Sequence, residues 1–256
     1  MIVVVSPSKS LDFENKSPFE IYSEPEMLLE SEKLMKVLKK KSPNKLMDLM
    51  SISESLGQLN FERNQTWETP FTLENSKQAV MAFTGDVYSG LEANTLKNSQ
   101  LEFTQNTLRI LSGLYGILKP FDLIQPYRLE MGTTLKTTRG TNLYKFWGNR
   151  VTQKLNQDLE RGSSKTLLNL ASNEYFKVLS PKKVEAEIIT PSFLDFHNGE
   201  FKMISFFAKK ARGLMSRFVI DHEIQNHNDL RGFDYEGYFF NEPLSKDSKP
   251  VFTRKK

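Results

Sequence analysis

The sequence predicts an α/β protein of the mixed α+β kind: a single compact domain with a central mixed sheet surrounded by helices. Three observations predict it. The run Ile2-Val3-Val4-Val5 is β-branched with no polar alternation, the pattern of a buried strand. Segments of helical period with their own start signals follow it. Further apolar runs are mixed with helices without strict βαβ alternation, and no repeat, low-complexity tract or linker divides the chain. One domain over residues 1–242 is expected, with 243–256 as a flexible tail.

The elements follow in order. Ser6-Pro7-Ser8-Lys9 is a polar turn after the first strand. Ser23 and Glu26 have capping-box spacing, and Met27, Leu28, Leu34, Met35 and Leu38 supply the period of a helix that closes on Lys39, Lys40 and Lys41. Ser42-Pro43 opens a second helix as N-cap and first residue, and Ser51-Ile52-Ser53-Glu54 restarts the chain as a third, short one through Leu56 and Leu59. Ala79 to Phe83 is expected as a buried strand and Leu101 to Leu111 as a helix. The segment from Lys119 to Gly132 is irregular, and Leu143 to Leu159 is helical by period. Runs at 167–170, 186–189, 193–196 and 201–206 are expected as strands. Asn198-Gly199 is the hairpin turn between the last two, and Tyr238 to Phe240 adds another strand.

The chain has 256 residues, no cysteine and a net charge of +4. The missing cysteine excludes a disulfide scaffold, a thiolate zinc site, a cysteine-ligated cluster and thiol redox chemistry. The N-terminal apolar run is too short for a signal peptide and no segment reads as a membrane helix, so the cytosol is the expected compartment and no membrane partner is expected. Charge is unevenly spread. Residues 107–154 carry eight Lys/Arg against two acids and residues 201–218 carry five against none, which leaves the rest of the chain at −7. Such separation makes a basic field suited to a polyanion.

Within 206–218, Phe207, Ala211, Leu214, Met215 and Phe218 share one helical face. Lys209, Lys210, Gly213 and Arg217 share the opposite one, with Arg212 at its margin. Cations with no acid among them suit phosphate, although a solvated basic face has the same pattern. Ser6 to Lys9 lies where ligand loops of α/β sheets lie, and is open to two readings, an anion-binding loop or a plain strand-end turn. Its Ser-x-x-Lys spacing lacks the companion motifs of an acylating serine enzyme. Arg128 is either a phosphate ligand or the partner of Glu130. Asn173 to Lys177 has the same loop character, and Lys177, Lys182 and Lys183 would extend a basic groove. His222 and His227 miss the zinc-helix spacing by one residue, which turns the second off the shared face, so no metal is expected.

Seven segments together resemble the YaaA family of bacterial peroxide-stress-resistance proteins. They are Ser6 to Asp12, Gly85 to Leu91, Leu111-Ser112-Gly113-Leu114-Tyr115-Gly116, Gln125 to Gly132, Asn169-Leu170-Ala171-Ser172, Ala208 to Phe218, and Glu236 to Phe240. The resemblance implies a cytosolic protein that limits free iron and oxidative DNA damage under hydrogen peroxide. It also implies an α/β fold peculiar to the family, with a helix-hairpin-helix element and a basic cleft for DNA. That element is placed at Lys39 to Leu59, with Lys41, Ser42 and Lys45 at the turn, although the usual Gly-x-Gly hairpin is absent. The DNA-binding candidates are Lys9, Lys41, Lys45, Arg128, Lys177, Lys209, Lys210, Arg212 and Arg217. The partner is double-stranded or distorted DNA, bound with little sequence specificity, and no cofactor or obligate protein partner is expected. The alternative is an enzyme acting on a nucleotide or nucleic acid at the same cationic site, with Asp86, Tyr88 and Glu130 as its acid/base groups. Iron sequestration by the chain itself would need a carboxylate cluster.

Overall fold

β1 (Ile2–Val5), with every residue buried, is the middle strand of a five-stranded sheet. Its companions are β2 (Leu108–Ser112), β3 (Gly116–Leu118), β4 (Thr166–Leu170) and β5 (Glu187–Ile189), in the order β3-β2-β1-β4-β5. β1 is parallel to both neighbours, with Val3 opposite Leu108 on one side and Leu168 on the other. β4 and β5 are also parallel, and β3 alone in this sheet is antiparallel. A parallel sheet is covered on both faces, which is why β1 is uniformly apolar. The computed structural model describes residues 1–162 and 164–255.

Between β1 and β2 lie α1 (Leu28–Leu38), α2 (Pro43–Met50), α3 (Glu54–Thr66), α4 (Asp86–Leu91) and α5 (Asn98–Thr107). α6 (Arg150–Arg161) precedes β4. A second sheet holds β6 (Ser192–His197), β7 (Glu200–Lys202), β8 (Phe239–Phe240) and β9 (Val251–Arg254), in the order β8-β9-β6-β7. α7 (Ser205–Asp221) runs between the two sheets' connections and packs on α4 and β6. Among the described residues, no helix is long and apolar enough to cross a membrane.

Several expectations hold. Ser42 caps α2, and the restarted helix α3 has Ser53 as its cap, each serine accepting a backbone N–H three residues on. Asn198 and Gly199 turn the β6–β7 hairpin with φ of 52° and 87°. Others are overturned. Ser23 caps nothing; its hydroxyl donates to Asp122 Oδ1 at 2.6 Å, and α1 starts at Leu28 without a side-chain cap. Ala79–Ala82 is a buried helical turn, not a strand, a case in which a short apolar run does not reveal its period. The expected helix 101–111 splits into α5 and β2 at Leu108, where the chain enters the sheet. The helix expected at 143–159 breaks at Gly148, whose φ is 54°.

The chain reversal between α2 and α3 is at Ser51, with φ of 51°, not at Lys41 to Lys45. The helix pair closes tightly because Gly57 meets Met47, where a Cβ would lie 2.5 Å from Met47 Cγ. Lys41 and Lys45 therefore sit at the open end of this pair, at the start of α2, away from its turn.

The tail expected after residue 242 is not loose over 251–254. β9 runs parallel to β6, placing Arg254 opposite Asp195. The Arg254 guanidinium, 3% exposed, donates to Asp195 Oδ1 at 2.7 Å and lies 4.3 Å from the Tyr238 ring centre. Tyr238 donates to the other Asp195 oxygen at 2.8 Å. Lys256, the last residue of the expected tail, lies outside the described residues.

Two predictions follow from these ion pairs. Arg254→Ala leaves the Asp195 carboxylate buried without its counter-ion and lowers unfolding free energy by about 3–5 kcal/mol in urea titration, with part recovered when Asp195→Asn is added. Hydrogen bonding from Arg139, against opposing burial and with help from Lys33, holds the Glu30 carboxyl at about 2, below its ordinary 4.5. Its stabilising effect is therefore full above 4.5 and lost as pH falls through about 2. The melting-temperature gap between wild type and Glu30→Gln should close over that interval.

Candidate anion-binding crevice

The sheet topology selects a place before any side chain is considered. From β1 the chain crosses to β2 on one side, and from β4 it crosses to β5 on the other. In open α/β sheets the crevice outside the carboxyl ends of two such strands is the usual ligand site. Ser6 leaves the end of β1, and Ser172 follows β4 by two residues. Ser172 donates its backbone N–H to Ser6 Oγ at 2.9 Å, and the two hydroxyl oxygens lie 3.3 Å apart. A cleft of about 500 Å³ opens above them.

Three further segments reach this cleft. The 125–132 loop is docked on the end of β2, where Ser112 Oγ and the Tyr127 hydroxyl share a 2.6 Å hydrogen bond. Gly113 lets the loop come close, since a Cβ there would lie 2.2 Å from the Leu129 carbonyl oxygen. The loop thereby brings Glu130 to the cleft, where Lys9 meets Glu130 Oε2 at 2.8 Å, while Arg128 approaches its other oxygen at 3.4 Å. The helical turn Asn173–Phe176 starts on Ser172 as N-cap and supplies Glu174 and Tyr175; Glu174 Oε1 accepts the Gly132 N–H at 2.8 Å.

The third segment is α4, with α7 packed on it. A Cβ on Gly213 would lie 1.8 Å from the Val87 carbonyl oxygen, and one on Gly90 would lie 2.3 Å from that of Lys210. The helices thus touch backbone to backbone. This crossing sets Asp86 and Tyr88 of α4 beside Lys209 and Arg212 of α7 in the cleft wall. Tyr88 donates to the Ser6 carbonyl at 3.1 Å. Burial, reinforced by Tyr127 and Tyr175 nearby, pushes the Tyr88 hydroxyl well above its ordinary value, so it keeps its proton and serves as a donor.

The nine cations do not all meet here. Lys9, Lys209 and Arg212 line the cleft, and Arg128 lines a smaller recess beside Lys9 and Glu130. Lys210 pairs with Glu236, and Arg217 with Asp221 at 2.8 Å. Arg217 also donates to the Leu91 and Glu92 carbonyls and, at 2.6 Å, to Thr95 Oγ1, which ties it to the end of α4. Lys177 lies over the Tyr144 ring at 5.2 Å, outside the cleft lining, and Lys183 donates to Asn149. Lys41 and Lys45 line neither cavity. The expectation of an outward face holding Lys209, Lys210, Gly213 and Arg217 holds only for Lys209, which is exposed; Gly213 packs on α4, and Lys210 and Arg217 are paired beside it.

Lys209 is exposed, and Arg212 is partly buried. Among the described residues neither has a carboxylate within salt-bridge distance. Burial draws the Arg212 guanidinium below its ordinary value, the mark of a cation short of compensating charge. Ser172, Glu174, Tyr175 and Gly85, which fall in segments flagged by sequence but given no role of their own, also line the cleft, as does Thr84, which sequence reasoning missed. Among the described residues no group of three or more His, Asp or Glu is placed to hold a metal ion.

Because the crossing has no spare room, Gly213→Ala should lower unfolding free energy by more than about 1 kcal/mol, beyond the small helix-propensity gain of alanine. A melting temperature at or above wild type would contradict backbone contact between α4 and α7.

Comparisons with known sequences find similarity along nearly the whole chain. A family model described as "Peroxide stress protein YaaA" matches residues 1–244. A UPF0246 protein from Aliivibrio fischeri strain MJ11 is 51% identical over 254 residues, covering 99% of this chain and 98% of its own. A UPF0246 protein from Neisseria gonorrhoeae strain NCCP11945 is 50% identical over 254 residues, with the same coverage. One from Shewanella pealeana is 51% identical over 99% of both chains. Sequence similarity thus runs through every segment that builds the crevice, and the chain belongs to the family of the peroxide stress protein YaaA.

Proposed function

We propose that this chain protects the cell against hydrogen peroxide, limiting free iron and oxidative DNA damage, by binding DNA in the cytosol through the crevice. The observation that carries this is Arg212, a partly buried guanidinium with no carboxylate partner among the described residues, beside the equally unpaired Lys209. Two cations of this kind at the carboxyl ends of parallel strands suit a phosphodiester group. Lys9 and Arg128 stand next to them, held in place by Glu130. Cations that neutralise phosphates carry no sequence information, so contacts to backbone and DNA shape dominate, with little sequence specificity.

A second reading is favoured by one feature. Asp86, Glu130 and Glu174 line the same concave cleft as the cations, and a passive backbone clamp has no use for them. Asp86 and Glu130 then act as acid and base on a bound nucleotide. Tyr88, whose hydroxyl is bonded to the Ser6 carbonyl, positions the β1 end. Incubation with labelled DNA and nucleotides, followed by product analysis of wild type and Glu130→Gln, tests it; product from wild type alone, with binding retained in the variant, supports an enzyme.

The main reading is tested by DNA affinity as a function of salt. Affinity should fall steeply with salt, and Lys209→Ala with Arg212→Ala should flatten the log–log slope by about 1–2. Lys41→Ala with Lys45→Ala should leave the slope unchanged. A slope unaltered in the first pair removes the crevice as the DNA site.

A further inference from the structure

We infer that a second cavity beside the crevice receives the base of a nucleotide whose phosphate lies in the crevice. This rests on the proposed phosphate-binding role of Lys209 and Arg212 and goes beyond it by assigning the ligand a base and that base a site.

The cavity measures about 410 Å³ and shares Thr84, Gly85 and Tyr88 with the crevice, so the two are separated by a single ridge. The ridge is low where it matters. Gly85 has φ of 104° and stands where a Cβ would be 2.9 Å from Ser8 Oγ, so both its conformation and its surroundings exclude a side chain. The ridge therefore carries no side chain at Gly85, and Ser8 closes against it on the crevice side.

The floor is apolar and belongs to the core: Val80, Phe83 and Ala93 are buried, and Met81 is partly so. The Phe83 and Tyr88 rings lie 5.5 Å apart at 35°, offering aromatic surface next to the ridge. The rim is polar and ordered. Asp12 accepts the backbone N–H groups of Glu14 and Asn15, both at 3.0 Å. Those bonds, led by Asn15 and opposed by burial, hold its carboxyl at about 2, so it is an anion at neutral pH. Lys77, 7% exposed, donates to the Asp12 carbonyl at 2.9 Å and reaches Asp12 Oδ2 at 3.3 Å. That uses two of its three N–H groups and leaves one to offer. Asn94 adds an exposed amide that both donates and accepts.

A flat ring against an apolar and aromatic floor, with donors and acceptors along one edge, is the requirement of a nucleobase. A purely apolar guest would leave the remaining Lys77 N–H and the Asn94 amide unused. A bare phosphate would leave the floor unused. The base can come from a free nucleotide or from an unpaired nucleotide in a DNA strand, and the chemistry is the same for both.

The test titrates the full chain, by calorimetry, with inorganic phosphate, with each 2′-deoxynucleoside 5′-monophosphate, and with DNA duplexes that are fully paired or carry one unpaired 2-aminopurine. Wild type should bind at least one mononucleotide about tenfold more tightly than phosphate, or should show a 2-aminopurine fluorescence change on binding the unpaired duplex. The first result assigns free nucleotides as a source, the second a DNA strand. Met81→Trp, which fills the cavity, should remove the gain and the fluorescence change while phosphate binding persists. Asn94→Trp, at the exposed rim, serves if the first variant unfolds. Equal binding of mononucleotide and phosphate together with no fluorescence change overturns this inference and leaves the DNA reading intact. A gain that survives both substitutions overturns it as well. Absence of DNA binding together with tight mononucleotide binding overturns the DNA reading and leaves this one standing.

Discussion

The close approach of α4 and α7 is the constraint on which the site depends. Gly90 and Gly213 face each other across it, and neither has room for one additional carbon. A contact made by backbone atoms cannot be relaxed by changing a rotamer, so the separation of the helices is fixed by covalent geometry. α7 is long and packs on β6 of the second sheet, while α4 is short and carries Tyr88 into the end of β1. The crossing therefore carries the position of one sheet's edge to the other sheet's ligand crevice. Arg217 reinforces it from the side by taking the carbonyls that α4 leaves free at its end, where a cation is favoured.

Charge in the crevice is balanced more finely than a basic surface would be. Glu130 stands between Lys9 and Arg128 and fixes both. A phosphate arriving there must share those cations with a carboxylate already present, which weakens indiscriminate attraction to any polyanion. Glu174 works in the same direction. Selectivity of this kind comes from a repulsive element set beside an attractive one. The net effect is that Lys209 and Arg212 provide the uncompensated charge, with Lys9 and Arg128 as oriented neighbours.

Much of the fold could be read from local signals. β1, β4 and the β6–β7 hairpin are legible because an apolar β-branched run and Asn198-Gly199 have few alternative meanings. The cap at Ser42 is legible because a short side chain before Pro43 has a backbone N–H to accept, whereas at 51–54 two serines compete and only the fold selects Ser53. Ala79–Ala82 is not, since four apolar residues, three of them buried, look the same in either conformation. β9 is not, because what makes it a strand is Arg254 meeting Asp195, a partner 59 positions away. The site was half legible. Ser6 to Lys9 and Lys209 to Arg212 announce themselves by composition. Ser172 and Gly85 do not, for their roles come from the parallel pairing of β1 with β4 and from the nearness of Ser8, which are tertiary facts.

The division of labour along α7 shows how the same cations came to be misassigned on a helical wheel. At roughly 100° per residue, Lys209, Lys210, Gly213 and Arg217 share a face, with Arg212 at its margin. Wheel geometry alone ranks that face as the cationic stripe and leaves Arg212 outside it. Packing reverses that ranking, because Gly213 in the middle of the stripe is the point where α4 comes closest. With that contact made, Lys210 and Arg217 flank a buried seam, and each must find an acid. Glu236 and Asp221 supply them. Arg254 also holds Glu236, so the C-terminal strand fixes the rotation of α7 from the far side. The helix cannot roll to lend Lys210 or Arg217 to a ligand without breaking these pairs and the glycine seam together. What remains for a ligand is the edge of that face and its margin, where Lys209 and Arg212 are one turn apart and line the crevice together with Ser6 and Ser172.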